Sequence, residues 1–252
     1  PEKDLITRRY LKYQHRLPRD ALARLAVEDD LDPDASEQEH DAEEEQIEKP
    51  LSLNAQRMGS VLTALKASGA TNVLDLGCGE GNLLRDLLKE RQFTRIVGMD
   101  VSIRSLERAS EKLRLERLPD MQRQRIELLH GSLIYRDERR TGFDSAACVE
   151  VIEHMDPPRL KAFERAVFEF ARPCTVVVTT PNAEYNVMWE TLPAGQFRHR
   201  DHRFEWTRDE VQSWADSVAG EHGYSVRFLP VGPVNDAVGS PTQMAVFERR
   251  GE

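Results

Sequence analysis

The run Ser145-Ala-Ala-Cys-Val-Glu150-Val-Ile-Glu153-His154-Met-Asp-Pro157-Pro158 joins a small apolar stretch to two carboxylates and an imidazole. With Phe143 to Val149 as a buried strand, Glu150, Glu153 and His154 gather in the turn past its carboxyl end, where open α/β sheets place their chemistry. Three such donors suit one divalent cation once a fourth group arrives from elsewhere in the chain. The same residues also suit a solvated helix start, with acids favoured by the helix dipole and two prolines in the first turn. Other segments have to separate these two readings.

A second group lies upstream in Asn72-Val-Leu-Asp75-Leu-Gly77-Cys-Gly79-Glu-Gly81-Asn-Leu-Leu, read as a strand, a glycine-rich turn and a helix start. Gly77, Gly79 and Gly81 let the backbone pass close to a ligand without Cβ clashes. A dinucleotide site calls for G-x-G-x-x-G and an unopposed helix N-terminus for pyrophosphate. Here the spacing is G-x-G-x-G behind Asp75, a carboxylate that repels phosphate and suits a sulfonium and an α-ammonium. The strand Arg95 to Asp100 ends in an acid nineteen residues beyond Gly81, placed to accept two ribose hydroxyls. Ser102 is expected to cap the next helix, 103 to 117.

The elements that must position these groups follow from periodicity. Leu53, Arg57, Val61, Leu62 and Leu65 recur at helical spacing up to a stop at Gly69. Strands are expected at Ile126 to Leu133 and Cys174 to Thr180, with a helix from Pro158 to Phe170 between them in the chain. Thr207 and Glu210 form a capping-box pattern for a helix reaching about Gly220. Tyr224 to Val231 and Thr242 to Arg249 alternate with no helix between. The fold class is therefore α/β: a mostly parallel, doubly wound sheet ending in an antiparallel strand pair. Between Asn182 and Thr207 runs a loop too long to be a plain connector, holding Phe197-Arg198-His199-Arg200-Asp201-His202-Arg203-Phe204-Glu205-Trp206. Its arginines suit phosphates and its aromatics suit unpaired bases, although Phe204 and Trp206 serve equally well as core anchors.

Composition bounds the rest. Three cysteines, Cys78, Cys148 and Cys174, sit in or beside apolar runs and read as reduced core residues. No membrane span or signal peptide is evident, so a cytoplasmic protein with no membrane partner is expected, and a start at Pro1 suggests a piece of a longer chain. Residues 28–48 hold twelve acids and no lysine or arginine; taking those twelve from the total of 44 leaves 32 acids against 35 bases. The net charge of -9 thus resides in one block and does not exclude nucleic acid. The domain plan is a basic helical arm at 1–27, an acidic linker at 28–49, and a catalytic domain at 50–252.

The glycine loop resembles that of the Rossmann-like S-adenosylmethionine methyltransferases, in which Ser132 and Leu133 would fall beside the adenine. Glu150-Val-Ile-Glu153-His154-Met taken with Asp201-His202-Arg203-Phe204-Glu205-Trp206-Thr207 resembles the small-RNA 3′-terminal 2′-O-methyltransferase family, whose bacterial members act beside a polynucleotide kinase-phosphatase-ligase. That resemblance implies S-adenosylmethionine, bound by Asp75, Gly77, Gly79, Gly81, Asp100, Ser102, Ser132 and Leu133. It also implies one divalent metal, Mn or Mg, on Glu150, Glu153, His154 and His202, with His199 a rival donor. The substrate implied is an RNA 3′ end with free 2′ and 3′ hydroxyls, DNA being excluded for want of the 2′ oxygen. His154 and His199 are both candidate catalytic bases, and Arg57 and Arg198 candidate phosphate contacts. Two other readings compete. A metal-dependent methyltransferase of small vicinal diols is disfavoured by the arginine-rich loop, and a module binding RNA-repair partners would dock through the first 49 residues.

Overall fold

The computed structural model describes residues 53–193 and 195–251; the basic arm and the acidic linker lie outside them. Helix α1 (Leu53–Ala67) leads into β1 (Asn72–Leu76), α2 (Asn82–Lys89), β2 (Arg95–Asp100), α3 (Ile103–Lys112) and β3 (Ile126–His130). Then come β4 (Ser145–Val149), α4 (Pro157–Glu164), β5 (Thr175–Pro181), α5 (Arg208–His222), β6 (Tyr224–Val231) and β7 (Thr242–Arg249). The sheet order is β3-β2-β1-β4-β5-β7-β6, with β7 antiparallel to both β5 and β6 and the other pairs parallel. The expected α/β architecture, antiparallel ending included, is the one observed.

Near-continuous apolar runs form the central strands because helices cover both faces of the sheet. Alternate residues serve opposite faces: Val73 packs with Leu65, Leu84 and Ile96, while Leu74 and Leu76 pack with Cys148, Phe163 and Phe168. Phe168 is fully buried against Tyr224 and Phe247, and trimming it to Ala would cost about 3–5 kcal/mol. Among the described residues, no helix is long and apolar enough to cross a membrane.

Element ends differ from expectation where local geometry intervenes. Helix α3 stops at Lys112 because Arg114 takes a left-handed φ of 51°, after which a short 3-10 turn spans Leu115–Arg117. The helix begun at Pro157 passes at Arg165 into wider π turns that run to Ala171. Cys174 is exposed, unlike Cys78 and Cys148, because it precedes β5 and stays outside the core. Thr207 and Glu210 do form the capping box of α5.

The sheet changes winding direction between β1 and β4, so their carboxyl ends open a shared crevice. The 182–207 loop is fastened over that end. Asn182 Nδ2 donates to Val238 O and Ser240 O, both at 2.8 Å, Ala183 N–H to Trp206 O at 3.0 Å, and Gln243 Nε2 to Trp206 O at 2.9 Å.

Candidate active site

On the β1 side, the turn after the strand is tied to β2: Gly77 and Cys78 N–H both donate to Met99 O, at 2.8 and 3.1 Å. Gly77 has φ +77°, and a Cβ there would meet Val151 Cγ2 at 2.6 Å, so only glycine fits. Asp100 accepts Gly79 N–H on one oxygen and Ser102 N–H on the other, each at 2.8 Å, which locks the carboxylate at the lip of β2. Ser102 itself caps α3 through its hydroxyl, so its part in the cleft is to hold Asp100. Gly131 N–H donates to the backbone O of Asp100 at 3.0 Å; Ser132, next in the chain, is half-buried and Leu133 buried.

Asp75 is 2% exposed, and its Oδ2 is buried with no hydrogen-bond partner. Burial, and then the charge on Asp100, push its pKa up to about 8. A buried carboxyl group with an unpartnered oxygen beside a glycine turn is one that an ammonium-bearing cofactor would ionise and satisfy, so these residues fit S-adenosylmethionine.

On the β4 side, Glu150 adopts a left-handed φ of 52°, a strained state for a side-chain-bearing residue that costs about 1–3 kcal/mol. Thr179 holds it there. Glu150 N–H donates to Thr179 O at 3.2 Å and Oγ1 at 3.1 Å, and the Thr179 hydroxyl donates to Glu150 Oε1 at 2.8 Å. Glu153 is fully buried and accepts Thr180 Oγ1–H at 3.2 Å. Thr179 and Thr180, consecutive in β5, face opposite sides of the sheet, which lets one strand end serve both glutamates.

His154, His199 and His202 offer donor atoms within 4.8 Å of one another, the group of this kind found among the described residues. The ring of His154 stands edge-on to His202 at 4.8 Å and to His199 at 5.4 Å between centroids. Burial, then the two neighbouring imidazoles, push its pKa down to about 4, although the residue also keeps a solvent-exposed surface. Arg203 N–H donates to Glu153 O at 2.7 Å, tying the two distant segments together.

The two loop histidines carry their protons differently. His202 Nδ1 lies 2.7 Å from Glu205 Oε1, and a carboxylate only accepts, so in the neutral ring the proton sits on Nδ1 and Nε2 is the nitrogen left to act as a donor. His199 Nδ1 accepts Asp201 N–H at 3.1 Å, which puts the proton of the neutral ring on Nε2. A neutral His202 thus offers Nε2 as a donor, and a neutral His199 offers Nδ1 only if it gives up the Asp201 N–H. Three imidazoles with two glutamates on the adjoining turn fit a divalent cation in donor type. The glutamates are nonetheless outside the tight group: Glu150 Oε2 pairs with Arg57 Nη2 at 3.0 Å, and Glu153 faces Thr180.

Arg57 is 4% exposed and also donates to Thr242 Oγ1 at 3.1 Å, so it braces Glu150 from the α1 side. Arg198 is 2% exposed and donates to Pro241 O at 3.0 Å. The exposed guanidiniums near the cluster are instead those of Arg200 and Arg203. Phe204 and Trp206 stack on each other at 4.1 Å and pack on the core, as loop anchors do, while Phe197 remains 45% exposed.

Glu205, Thr179, Thr180 and Asn186 were not singled out in the sequence. An acid three residues after a histidine was visible for Glu205, yet that pattern is equally common on solvated turns. Burial pushes the Glu205 carboxyl up, but the His202 hydrogen bond, the Arg198 charge, the Asn186 amide and Arg198 N–H together hold its pKa below the usual glutamate value.

Residues 74–174 match the family described as "Methyltransferase domain". The methyltransferase domain of bacterial CtHen1 has 55% sequence identity and a TM-score of 0.73, covering 78% of this chain and 100% of its own. The small RNA 2′-O-methyltransferase of Rattus norvegicus is 38% identical over 187 residues, 71% of this chain and 46% of that protein. The chain thus spans about half the length of the curated relatives it matches first. A chain of the Pnkp1/Rnl/Hen1 RNA repair complex, at 20% identity and a TM-score of 0.58, covers 80% of this chain and 42% of its own and shows the fold alone. With a glycine turn, a lone Asp75 and a three-imidazole cluster at one sheet-end crevice, and with a Hen1 domain matched over its whole length, the chain belongs to the small RNA 2′-O-methyltransferase family, in the branch of the bacterial Hen1 methyltransferase domains.

Proposed function

We propose that this chain transfers the methyl group of S-adenosylmethionine to the 2′-hydroxyl of the 3′-terminal nucleotide of RNA, with the help of one divalent cation, Mn or Mg. The observation that carries the reading is the approach of His154 to His202, 4.8 Å between ring centroids, across 48 positions of sequence and beside the crevice that holds Asp75. Glu150, Glu153, His154 and His202 would hold the cation. When bound, it would lower the pKa of a ribose hydroxyl and hold two vicinal oxygens at once.

The protein's own groups account for the remaining requirements. Asp75 receives the cofactor's ammonium, and Asp100 accepts its ribose hydroxyls. Arg57 holds Glu150 in register through its 3.0 Å contact. Arg200 and Arg203, both exposed, are suited to phosphates of the incoming strand. Of the two candidate bases, His154 has a neutral ring. His199, with its proton on Nε2, donates to a substrate oxygen until its contact with Asp201 is exchanged.

A substrate must present both 2′ and 3′ oxygens, so a DNA end or a 2′-deoxy RNA end is inert. As the domain of a repair enzyme, the chain acts in the cytoplasm beside a polynucleotide kinase-phosphatase-ligase. Incubation of a radiolabelled methyl donor with short RNAs differing only at the terminal 2′ and 3′ positions tests the reading. Transfer requires both hydroxyls, stops in EDTA and resumes with Mn or Mg. Methylation of the 2′-deoxy end, or full turnover in EDTA, rejects it.

A further inference from the structure

We infer that Glu205 is the positioning residue of the imidazole cluster: its carboxylate fixes the tautomer of His202 and aims the Nε2 lone pair at the cation site. The inference rests on the reading of His202 as a metal donor. Three observations support it. First, the His202 and Glu205 side chains are 1% and 0% exposed at a contact of 2.7 Å, so water does not compete for Nδ1–H. Second, the carboxylate is itself clamped. Oε1 also accepts Arg198 N–H at 2.7 Å, and Oε2 accepts the Asn186 side-chain amide. Third, His199 in the same loop accepts the Asp201 backbone N–H on Nδ1 at 3.1 Å, so its neutral ring holds the opposite tautomer to the one set by Glu205 at His202.

The physical content is simple. A free imidazole divides itself between two tautomers, and only one of them offers Nε2 as a donor. A buried carboxylate on Nδ1 removes the unproductive tautomer and makes the ring more basic toward a cation. Loss of such a partner typically weakens metal binding about 10–100-fold.

The test uses the whole chain. In the metal-free protein labelled with 15N-histidine, long-range 1H–15N correlation should show His202 protonated on Nδ1. A ring protonated on Nε2 overturns the inference, and this measurement needs no variant. Mn2+ binding followed by electron paramagnetic resonance should then weaken roughly 10–100-fold in Glu205→Gln, with S-adenosylmethionine affinity retained as evidence of an intact fold. Wild-type Mn2+ affinity in that variant overturns the inference. Asn186→Ala removes a support of Glu205 without touching His202 and should lose less; an equal loss would mean that Glu205 merely holds the loop together, and also overturns it. His202→Ala separates the two layers of argument. If it binds Mn2+ like the wild type, the cation reading has failed, whereas loss in His202→Ala with full binding in Glu205→Gln defeats only the role given to Glu205.

Discussion

At the cofactor end of the crevice, the bonds that shape the cleft lie almost wholly within 75–131. Gly77 and Cys78 hold Met99, Gly79 and Ser102 hold Asp100, and Gly131 closes on Asp100. At the imidazole end they are drawn from Arg57, the 150–154 turn, Thr179, Thr180, Asn186 and 198–205, and they run mostly between side chains. Backbone amides cannot rotate away from their target, whereas a side-chain network holds only while each member is itself held. The cofactor half is therefore expected to tolerate most side-chain changes, and the imidazole half to be sensitive to residues that touch no substrate.

The largest effect should come from cutting the imidazole end alone. His202→Ala is expected to lower methyl transfer at least about a thousandfold, while equilibrium binding of S-adenosylmethionine changes less than about twofold, as distant sites add independently. A matching loss of cofactor affinity would erase the distinction between the two ends.

Asp75→Asn is the reciprocal cut. Removing a buried, charge-assisted partner should weaken S-adenosylmethionine about 10–100-fold, with Mn2+ binding unchanged. Its pH behaviour sharpens the point. Because burial and Asp100 raise the Asp75 pKa to about 8, the free protein holds a proton there at neutral pH. That proton stabilises the free fold at low pH, and the contribution falls as pH rises toward 8, since the unfolded chain releases its proton earlier. A cationic ligand needs the ionised form, so cofactor affinity should climb up to about tenfold per pH unit below 8. Titration calorimetry in buffers of different ionisation enthalpy reads the released proton, and Asp75→Asn should abolish it.

The two ends touch where Gly77 faces Val151, next to Glu150. Gly77→Ala places a methyl 2.6 Å from Val151 Cγ2 at a φ of +77°. The left-handed penalty of about 1 kcal/mol plus the clash should weaken both ligands together. Adding Val151→Ala should restore the Mn2+ affinity and leave the backbone penalty at the cofactor end. Failure of the second change to separate them would show that the turn, rather than the contact, couples the halves.

What the sequence made legible follows the same division. Glycine spacing, the acid after β2 and the capping box of α5 are local, so residue type and interval were enough to place them. Glu150, Glu153, His154 and His202 were nameable as a set only by resemblance. Their arrangement was not legible: that Glu150 would turn through a positive φ toward Arg57, or that Thr179 and Thr180 would divide the two glutamates, depends on β4 and β5 pairing in register. Arg57 and Arg198, read as phosphate contacts, lie buried against Glu150 and Pro241 because helix spacing does not reveal which face a loop will cover.

The finest test concerns a hydroxyl. Thr179→Val keeps shape and burial but removes the group that both accepts Glu150 N–H and donates to its carboxylate. Because Glu150 N–H keeps the Thr179 carbonyl, the net loss is about one hydrogen bond of 0.5–1.5 kcal/mol, which predicts a Mn2+ affinity lower by roughly twofold to tenfold, with Thr179→Ser close to wild type. S-adenosylmethionine binding should not change in either. The serine control matters because it retains the donor while losing the methyl. If valine binds Mn2+ as tightly as threonine does, Arg57 and the Thr179 carbonyl suffice to hold Glu150, and the imidazole half relies on fewer supports than its hydrogen bonds suggest.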